Sequence, residues 1–146
     1  MIELLPIWPS LEMNDAFNIQ AESAEIAAMT GEYYKVIGFN PPWIGYLAQH
    51  DGKFVGSAAF KGAPANNRVE VAYTTFESER GKGIGTAMCR LLVELALAAK
   101  PDVIITARTL PEENHSTKIL RKNSFTFVGT VIDPEDGEVW EWVYNG

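Results

Sequence analysis

The sequence predicts an α+β fold in which helices flank a mixed, mostly antiparallel central sheet. Two observations predict it. The segment from Val69 to Thr86 joins a run of β-branched and aromatic residues to a glycine-rich turn and the start of a helix-periodic apolar stretch. Paired strand patterns joined by short turns lie on both sides of it. At this length the chain is expected to form one domain over residues 1–146.

The N-terminal part begins with a short strand pattern and continues with a helical one. Ile2 to Ile7 predicts a first strand, which Pro9 ends. From about Asn14 to Met29 the apolar residues follow a loose helical stripe. Asn14 or Asp15 is the expected N-cap of this helix and Gly31 its expected end.

The stretch from Glu32 to Trp43 is crowded with aromatic residues and has no clear period. Pro41-Pro42 forces an extended path there. Aromatic residues in an irregular connection indicate either a satellite core or the wall of a pocket, and both interpretations stay open. The residues concerned are Tyr33, Tyr34, Phe39 and Trp43.

The middle of the chain predicts a hairpin, a central strand and a long helix. Asp51-Gly52 is a type I′ turn signal between strand patterns at residues 46–50 and 53–60. The central strand begins at Val69. An apolar face of period 3.6 starts at Ile84, and Lys100-Pro101 ends that helix.

The last third predicts a buried strand, a short helix and a terminal hairpin. Val103 to Ala107 is continuously apolar, as in a strand buried on both faces. Asn114 to Lys122 is typical of a short helix, with Ile119 and Leu120 turned inward. Alternating patterns at residues 125–132 and 138–144 predict the closing pair of strands.

The glycine-rich turn after the central strand predicts an anion site. Glycines remove the Cβ atoms that would obstruct converging backbone N–H groups, and the following helix N-terminus adds partial positive charge. The signature of phosphate-binding NTPase loops and the dinucleotide fingerprint both fail on spacing. The pattern that remains is Arg-x-x-Gly-x-Gly, formed by Arg80, Gly83 and Gly85. The alternative is a plain loop followed by an ordinary core helix.

Composition and charge limit the classes of partner. The net charge of −7 argues against nucleic-acid and anionic-membrane surfaces and is compatible with a cationic substrate. The single cysteine, Cys89, cannot form an intrachain disulfide and is expected to be an inert core thiol. No export signal or membrane-spanning run is found, so the cytoplasm is the expected compartment.

The Arg80–Gly85 pattern resembles the pyrophosphate-binding signature of the GNAT superfamily of N-acetyltransferases. A second segment, Leu110 to Phe125, resembles the fourth-helix motif of the branch that includes ribosomal-protein N-terminal acetyltransferases. The likeness covers roughly residues 40 to 145. Ser124 stands where the family usually has glycine, and the region before Trp43, which helps to build the acceptor site in the family, is short.

The resemblance implies a GNAT-like acyl-CoA N-acyltransferase fold with acetyl-CoA as co-substrate and no metal. It implies that the central strand parts from the Val103 strand, so that its free backbone can pair with the pantetheine arm. Asn114 would hydrogen-bond that arm, and Ser116 would contact the arm or the departing thiolate. The expected coenzyme-binding residues are Tyr73, Thr74, Thr75, Arg80, Gly81, Lys82, Gly83, Ile84, Gly85, Thr86, Asn114 and Ser116.

Acyl transfer needs a neutral amine and therefore a base or a water relay. Glu70 is the candidate base, because a carboxylate at the start of an apolar strand indicates a functional or solvated face; a salt bridge to Arg68 or Lys61 is the alternative. His115 is a weaker candidate. The tyrosine that many family members use as general acid has no counterpart here, so Ser116 or solvent would protonate the thiolate.

The predicted function is transfer of an acetyl group from acetyl-CoA to a primary amine of a small molecule or of a peptide or protein N-terminus. A catalytically degenerate acyl-CoA-binding or regulatory domain is the alternative. Acidic residues crowd two segments that border the acceptor side of the cleft in the family, and they indicate either a solvated acidic surface or a site for a cationic acceptor. These residues are Glu112, Glu113, Asp133, Glu135, Asp136 and Glu138. Dimerisation is left open.

Overall fold

The computed structural model describes residues 1–146, which form one seven-stranded sheet with three α-helices. The strands are β1 (Glu3–Pro6), β2 (Gly45–His50), β3 (Lys53–Phe60), β4 (Arg68–Thr75), β5 (Ile104–Thr109), β6 (Phe125–Asp133) and β7 (Gly137–Tyr144). The helices are α1 (Ala21–Ile37), α2 (Ile84–Ala99) and α3 (His115–Lys122). Two 3₁₀ turns cover Asp15–Ile19 and Glu77–Glu79.

The order of strands in the sheet is β1-β2-β3-β4-β5-β7-β6. Only β4 and β5 run parallel, and every other neighbouring pair is antiparallel. This arrangement confirms the predicted mixed, mostly antiparallel α+β class. The connection between the two parallel strands contains the glycine-rich turn and α2, so the turn lies at the carboxyl end of the central strand.

The predicted hairpin turn is confirmed by its backbone angles. Asp51 and Gly52 both have positive φ, at 50° and 76°. Positive φ at both central residues is the requirement of a type I′ turn, and its twist matches that of the flanking strands. The turn therefore sets the pairing of β2 with β3, and β3 in turn pairs with the central strand β4.

The predicted bounds of the first helix are wrong. Asn14 does not cap it, because its side chain makes two hydrogen bonds of 2.7 Å with the backbone of Trp8. The α-helix begins at Ala21 and continues through Gly31 to Ile37, where Gly38 with a φ of 87° ends it. Tertiary contact explains the continuation: Tyr34 is buried and donates a hydrogen bond of 2.8 Å to the Ile7 carbonyl. That contact outweighs the weak helix propensity of one glycine.

The core lies between the sheet and the helices. α2 buries Ile84, Met88, Leu92 and Ala96 at the expected helical spacing. Ile105, Thr106 and Ala107 are buried in succession, which confirms that β5 is covered on both faces over these residues; Ile104, which was predicted to be buried with them, is 37% exposed. Burial raises the pKa of Cys89 to about 12, as expected for an inert thiol. No helix is long and apolar enough to cross a membrane.

The predicted helix from Asn114 to Lys122 is confirmed, and so is the inward position of Ile119 and Leu120. Asn114 is its N-cap: the Asn114 side chain accepts from the Thr117 N–H at 3.1 Å, and Thr117 Oγ1 accepts from the Asn114 N–H. After the helix, Ser124 has a φ of 67°. This is the left-handed conformation in which glycine is the usual residue.

Candidate functional site

The central strand β4 separates from β5 halfway along its length. The two strands are paired from Arg68↔Ile104 to Val71↔Ala107, and no further. Beyond that point β5 pairs only with β7, whereas β4 continues to Thr75 and pairs only with β3. The backbone groups of Tyr73 and Thr75 that face β5 therefore have no strand partner. The sheet therefore has the opening between β4 and β5 that the family resemblance implied.

A cleft of about 610 Å³ occupies this opening. Its walls come from the end of β4, the glycine-rich turn, the loop after β5 and the start of α3. Five of its lining residues, Tyr73, Thr74, Thr75, Asn114 and Ser116, are ones that the family resemblance implied would contact the coenzyme arm. The lining residues are Tyr73, Thr74, Thr75, Arg80, Gly81, Leu110, Asn114, His115, Ser116 and Ile119.

Asn114 and Ser116 contribute to the cleft from the N-terminus of α3. The Asn114 side-chain oxygen accepts the capping hydrogen bond, so the side-chain NH₂ group is the part of Asn114 that can donate to a ligand. Ser116 follows two residues later and is partly exposed. Both residues also line a smaller cavity of about 290 Å³, on whose opposite side Glu70 lies. The two predicted catalytic side chains, Glu70 and Ser116, therefore share one cavity.

The glycine-rich turn closes the far end of the cleft. Gly81 and Gly83 have φ values of 81° and 77°, and Gly83 is the N-cap of α2. A Cβ atom at Gly85 would lie 2.7 Å from Cδ1 of Ile119, so Gly85 lets α2 and α3 approach closely. The three glycines thus have separate tasks. Two of them shape the turn, and the third permits helix packing.

Beside the turn is a hollow of about 190 Å³ that combines backbone donors with basic side chains. Arg80 lines it from the turn, and Lys118 and Lys122 line it from α3 together with His115. The two lysines are not among the residues predicted to bind the coenzyme. Their spacing of four residues on one helix face was the available signal. Lys82, in contrast, lines neither the hollow nor the cleft, because its ammonium lies 3.0 Å from Glu79 Oε1.

A second large cavity, of about 620 Å³, lies on the other side of the Glu70 region. We call it the acceptor cavity. Tyr33, Tyr34 and Ile37 of α1 form one wall. Of the aromatic residues for which both a pocket wall and a satellite core were possible, Tyr33 and Tyr34 therefore line a pocket. Phe39 and Trp43 instead pack on the core, against Tyr34 and Phe60. The cavity is also lined by Met29, Thr30, Gly45, Ala59, Phe60, Lys61, Glu70, Ala72, Arg108, Asp133, Pro134 and Glu135.

Glu70 lies where the acceptor cavity meets the smaller cavity beside Ser116. Its side chain is 20% exposed. Glu70 Oε2 lies 3.1 Å from Lys61 Nζ, and Oε1 lies 3.9 Å from Arg108 Nε. Burial lowers the pKa of Lys61, whereas the Glu70 carboxylate raises it. The net effect is a raised pKa for Lys61. The predicted salt bridge to Lys61 therefore exists, whereas Arg68 pairs with Glu141 instead.

The acidic turn between β6 and β7 contributes unequally to the acceptor cavity. Asp133 is buried, where its carboxylate accepts from the Glu135 and Asp136 N–H groups and from Arg108. These hydrogen bonds, that of the Glu135 N–H having the largest effect, lower the pKa of Asp133 to about 2. Glu135 lines the acceptor cavity and Asp136 the smaller one, and neither has an ion-pair partner. Glu138 lines no cavity of this region.

The acidic residues before α3 do not face the acceptor cavity. Glu113 forms a bidentate ion pair with Arg121, with 2.7 Å between Oε2 and Nη2, and accepts from Thr117 Oγ1. The Arg121 pair, followed by the Thr117 hydrogen bond, lowers the pKa of Glu113 to about 2. Glu112 is exposed. His115 lies on the cleft side, away from Glu70.

The sheet parts between its two parallel strands, with a glycine-rich turn at the opening, which is the arrangement that the resemblance to coenzyme A-dependent acyltransferases implied. The sequence agrees: the GNAT acetyltransferase domain family matches residues 9–126. The chain therefore belongs to the GNAT acetyltransferase family. No curated protein matches the sequence.

Solved structures show the same fold at low sequence identity. Aminoglycoside acetyltransferase AAC(6')-Ib in complex with coenzyme A is 21% identical with a TM-score of 0.71, over 99% of this chain and 95% of that one. The ribosomal alpha-N-protein acetyltransferase RimL in complex with coenzyme A is 16% identical with a TM-score of 0.69, over 97% and 92%. A chimera of the spermidine N-acetyltransferase SpeG from Vibrio cholerae is 10% identical with a TM-score of 0.71, over 98% and 94%.

Proposed function

We propose that this protein transfers an acetyl group from acetyl-CoA to a primary amine held in the acceptor cavity. The observation that carries the proposal is the end of β4–β5 pairing at Val71↔Ala107, which opens a cleft that runs from the glycine-rich turn to Ser116. An extended ligand with amide groups can pair with the free backbone of β4 as an added strand. The pantetheine arm of coenzyme A has that chemistry.

The pyrophosphate would bind at the glycine-rich turn. The hollow lies at the N-terminus of α2, where partial positive charge favours an anion, and it is lined there by Gly81, Gly83, Ile84, Gly85 and Thr86. Arg80, Lys118 and Lys122 add three cationic side chains. Lys82 is not expected to add charge there, because it does not line the hollow and its ammonium is paired with Glu79.

The acetyl group would then lie near Ser116, between the cleft and the acceptor cavity. The amine nitrogen attacks the thioester carbonyl carbon, the N–C bond forms and the C–S bond breaks. The amine proton passes to Glu70, directly or through one water, and Ser116 or solvent gives a proton to the coenzyme thiolate. Both side chains line the cavity in which these events would occur.

The acceptor is a cationic amine, small or at a peptide N-terminus. The support is the charge of the walls: Glu135 and Asp136 face the two cavities without ion-pair partners, whereas Lys61 and Arg108 are already paired with carboxylates. Tyr33 adds an aromatic surface on the opposite wall, and an aromatic face attracts a nearby cation. A ligand with net positive charge is therefore favoured over an anionic one.

Thiol release from acetyl-CoA tests the proposal. The panel of acceptors would contain polyamines, aminoglycosides, arylamines and peptides with free N-termini, each matched with an N-acetylated or non-basic analogue. The proposal predicts release of thiol that depends on at least one free amine and on the concentration of protein. Coenzyme binding without release across the whole panel would favour the degenerate coenzyme-binding domain instead.

A further inference from the structure

Glu79 is a nearly buried carboxylate that no step of the proposed reaction uses. It lies in the 3₁₀ turn that leads from β4 to the glycine-rich turn, and its side chain is only 6% exposed. Its oxygens are held by different lysines: Lys53 Nζ lies 2.6 Å from Oε2 and Lys82 Nζ lies 3.0 Å from Oε1. We call these three residues the Glu79 cluster.

The cluster joins two parts of the chain that are distant in sequence. Lys53 is the first residue of β3, a strand that is paired with β2 on one side and with β4 on the other. Lys82 lies between Gly81 and Gly83, both of which have positive φ. A turn that contains two glycines has many accessible conformations, and fixing one of them costs conformational entropy. A side-chain tie from the middle of the turn to the sheet reduces that freedom before a ligand binds.

Charge alone does not explain the cluster. A carboxylate next to Arg80, which lines the anion hollow, would repel a phosphate unless it were neutralised. The two lysines neutralise it and leave the cluster with one positive charge. Neither lysine lines the hollow, so the ammonium groups are not placed to touch the phosphates. The arrangement is suited to holding the turn in shape.

We propose that Glu79 is a positioning residue for the coenzyme: by tying Lys82 to Lys53, it holds the glycine-rich turn in the conformation that binds the pyrophosphate. This inference rests on the proposed function, because it takes the turn as the pyrophosphate site. Its particular consequence concerns Lys53. That residue lines neither the hollow nor the cleft, so the side-chain contact that connects it to the turn is the one with Glu79.

The cluster stays charged under ordinary conditions. The hydrogen bond from Lys53, followed by that from Lys82, lowers the pKa of Glu79 to about 2 from its ordinary 4.5. A lowered carboxylate pKa means that the ion pairs contribute fully above the ordinary value and are lost only as the pH falls through the range below it. Around neutral pH Glu79 therefore stays ionised, and the effect of its ion pairs on coenzyme affinity is expected to be independent of pH.

The test measures acetyl-CoA affinity by calorimetry and kcat at saturating coenzyme for Glu79→Gln, Lys53→Met and the double variant. We expect each single variant to bind the coenzyme roughly 3- to 10-fold more weakly, because a preorganised turn becomes mobile. The value of kcat should stay near that of the parent, since the reacting groups are untouched. The double variant should bind no more weakly than Glu79→Gln, because both changes break one connection. Lys53→Arg, which keeps the ion pair, should restore parental affinity.

Two controls separate positioning from general stability. Glu94→Gln breaks the exposed Arg90–Glu94 pair on α2 and should leave affinity unchanged. Asn14→Ala removes the hydrogen bonds to Trp8 and should lower the thermal midpoint without changing affinity. If the parent binds acetyl-CoA and both Glu79→Gln and Lys53→Met bind it equally well, the positioning role is overturned and the proposed function stands. If the parent does not bind the coenzyme, both proposals fail.

Discussion

Glu70 and Lys61 form an ion pair, 3.1 Å from Oε2 to Nζ, at the place where the acceptor cavity meets the cavity beside Ser116. Both residues line both cavities. An amine that binds next to Glu70 therefore has to share this carboxylate with Lys61 or to displace the lysine. The pair makes Glu70 a defined and testable position rather than a freely solvated side chain.

Replacement of Glu70 tests its proposed role as the base. Glu70→Gln should lower turnover roughly 100-fold or more while acetyl-CoA affinity stays close to that of the parent. The matched control is Glu141→Gln, which removes a neighbouring carboxylate paired with Arg68 and Arg108 but absent from the acceptor cavity. Turnover and a pH–rate profile like those of the parent would assign proton removal to water or to another group.

Charge reversal on the acidic turn tests the nature of the acceptor. Glu135→Lys and Asp136→Lys should raise the KM of a cationic acceptor at low salt and leave the KM of acetyl-CoA nearly unchanged. Added salt should raise the same KM in the parent, because attraction between exposed charges is screened over roughly 8–10 Å. Glu138→Lys, in the same hairpin but outside both cavities, should have the smaller effect. An acceptor KM indifferent to salt and to both reversals would make the turn a solvated surface.

The buried carboxylate of Asp133 predicts a particular loss of stability in acid. Its pKa is lowered to about 2 from 3.8, so its hydrogen bonds stabilise the fold fully above the ordinary value. That contribution falls as the pH decreases from about 4 toward about 2. Urea unfolding at several pH values should show a smaller acid-dependent loss in Asp133→Asn than in the parent. Glu79 and Glu113 titrate in the same range, so the difference between the two proteins is the quantity to compare. Identical pH dependence would contradict the assignment.

Ser124 offers a stabilising substitution. Its φ of 67° is unfavourable for a residue with a side chain and costs roughly 1–2 kcal/mol. Glycine removes that strain but gains entropy in the unfolded chain, so Ser124→Gly should raise the free energy of unfolding by only about 0.5–1 kcal/mol. The control Ser10→Gly, at a position without positive φ, should not stabilise. A lower unfolding free energy for Ser124→Gly would show that the Ser124 side chain makes a compensating contribution.

The parts of the fold that local chemistry determines were predictable from the sequence. The Asp51-Gly52 turn needs two positive φ angles, and the apolar period from Ile84 defines α2, so both were predicted with their bounds nearly correct. The course of α1 was not predictable, because Tyr34 holds it past Gly31 through contacts with Ile7 and Gly45. Such contacts depend on the folded structure and leave no local signal.

The candidate site shows the same division. The glycine-rich turn and Asn114 were recognisable because their residue types are tied to backbone geometry. Lys118 and Lys122 join the turn only because α3 packs against α2 through Ile119 and Gly85. The Glu79 cluster depends on the approach of β3 to the turn. Side chains that are brought together by packing can be identified only in the folded structure.

The thermal midpoint with and without acetyl-CoA tests the central claim most directly. A ligand that binds only the native state stabilises it by about 2.7 kcal/mol at 100 times its Kd, which corresponds to roughly 5–10 °C for a chain of this size. Gly83→Val places a β-branched residue at a φ of 77° in the turn, a conformation that valine rarely adopts. Lys118→Met combined with Lys122→Met removes two positive charges from the hollow. The first variant should lose the shift and the second should show a smaller one. The account predicts a rise of this size in the parent; an unchanged midpoint in the parent at saturating acetyl-CoA would contradict it.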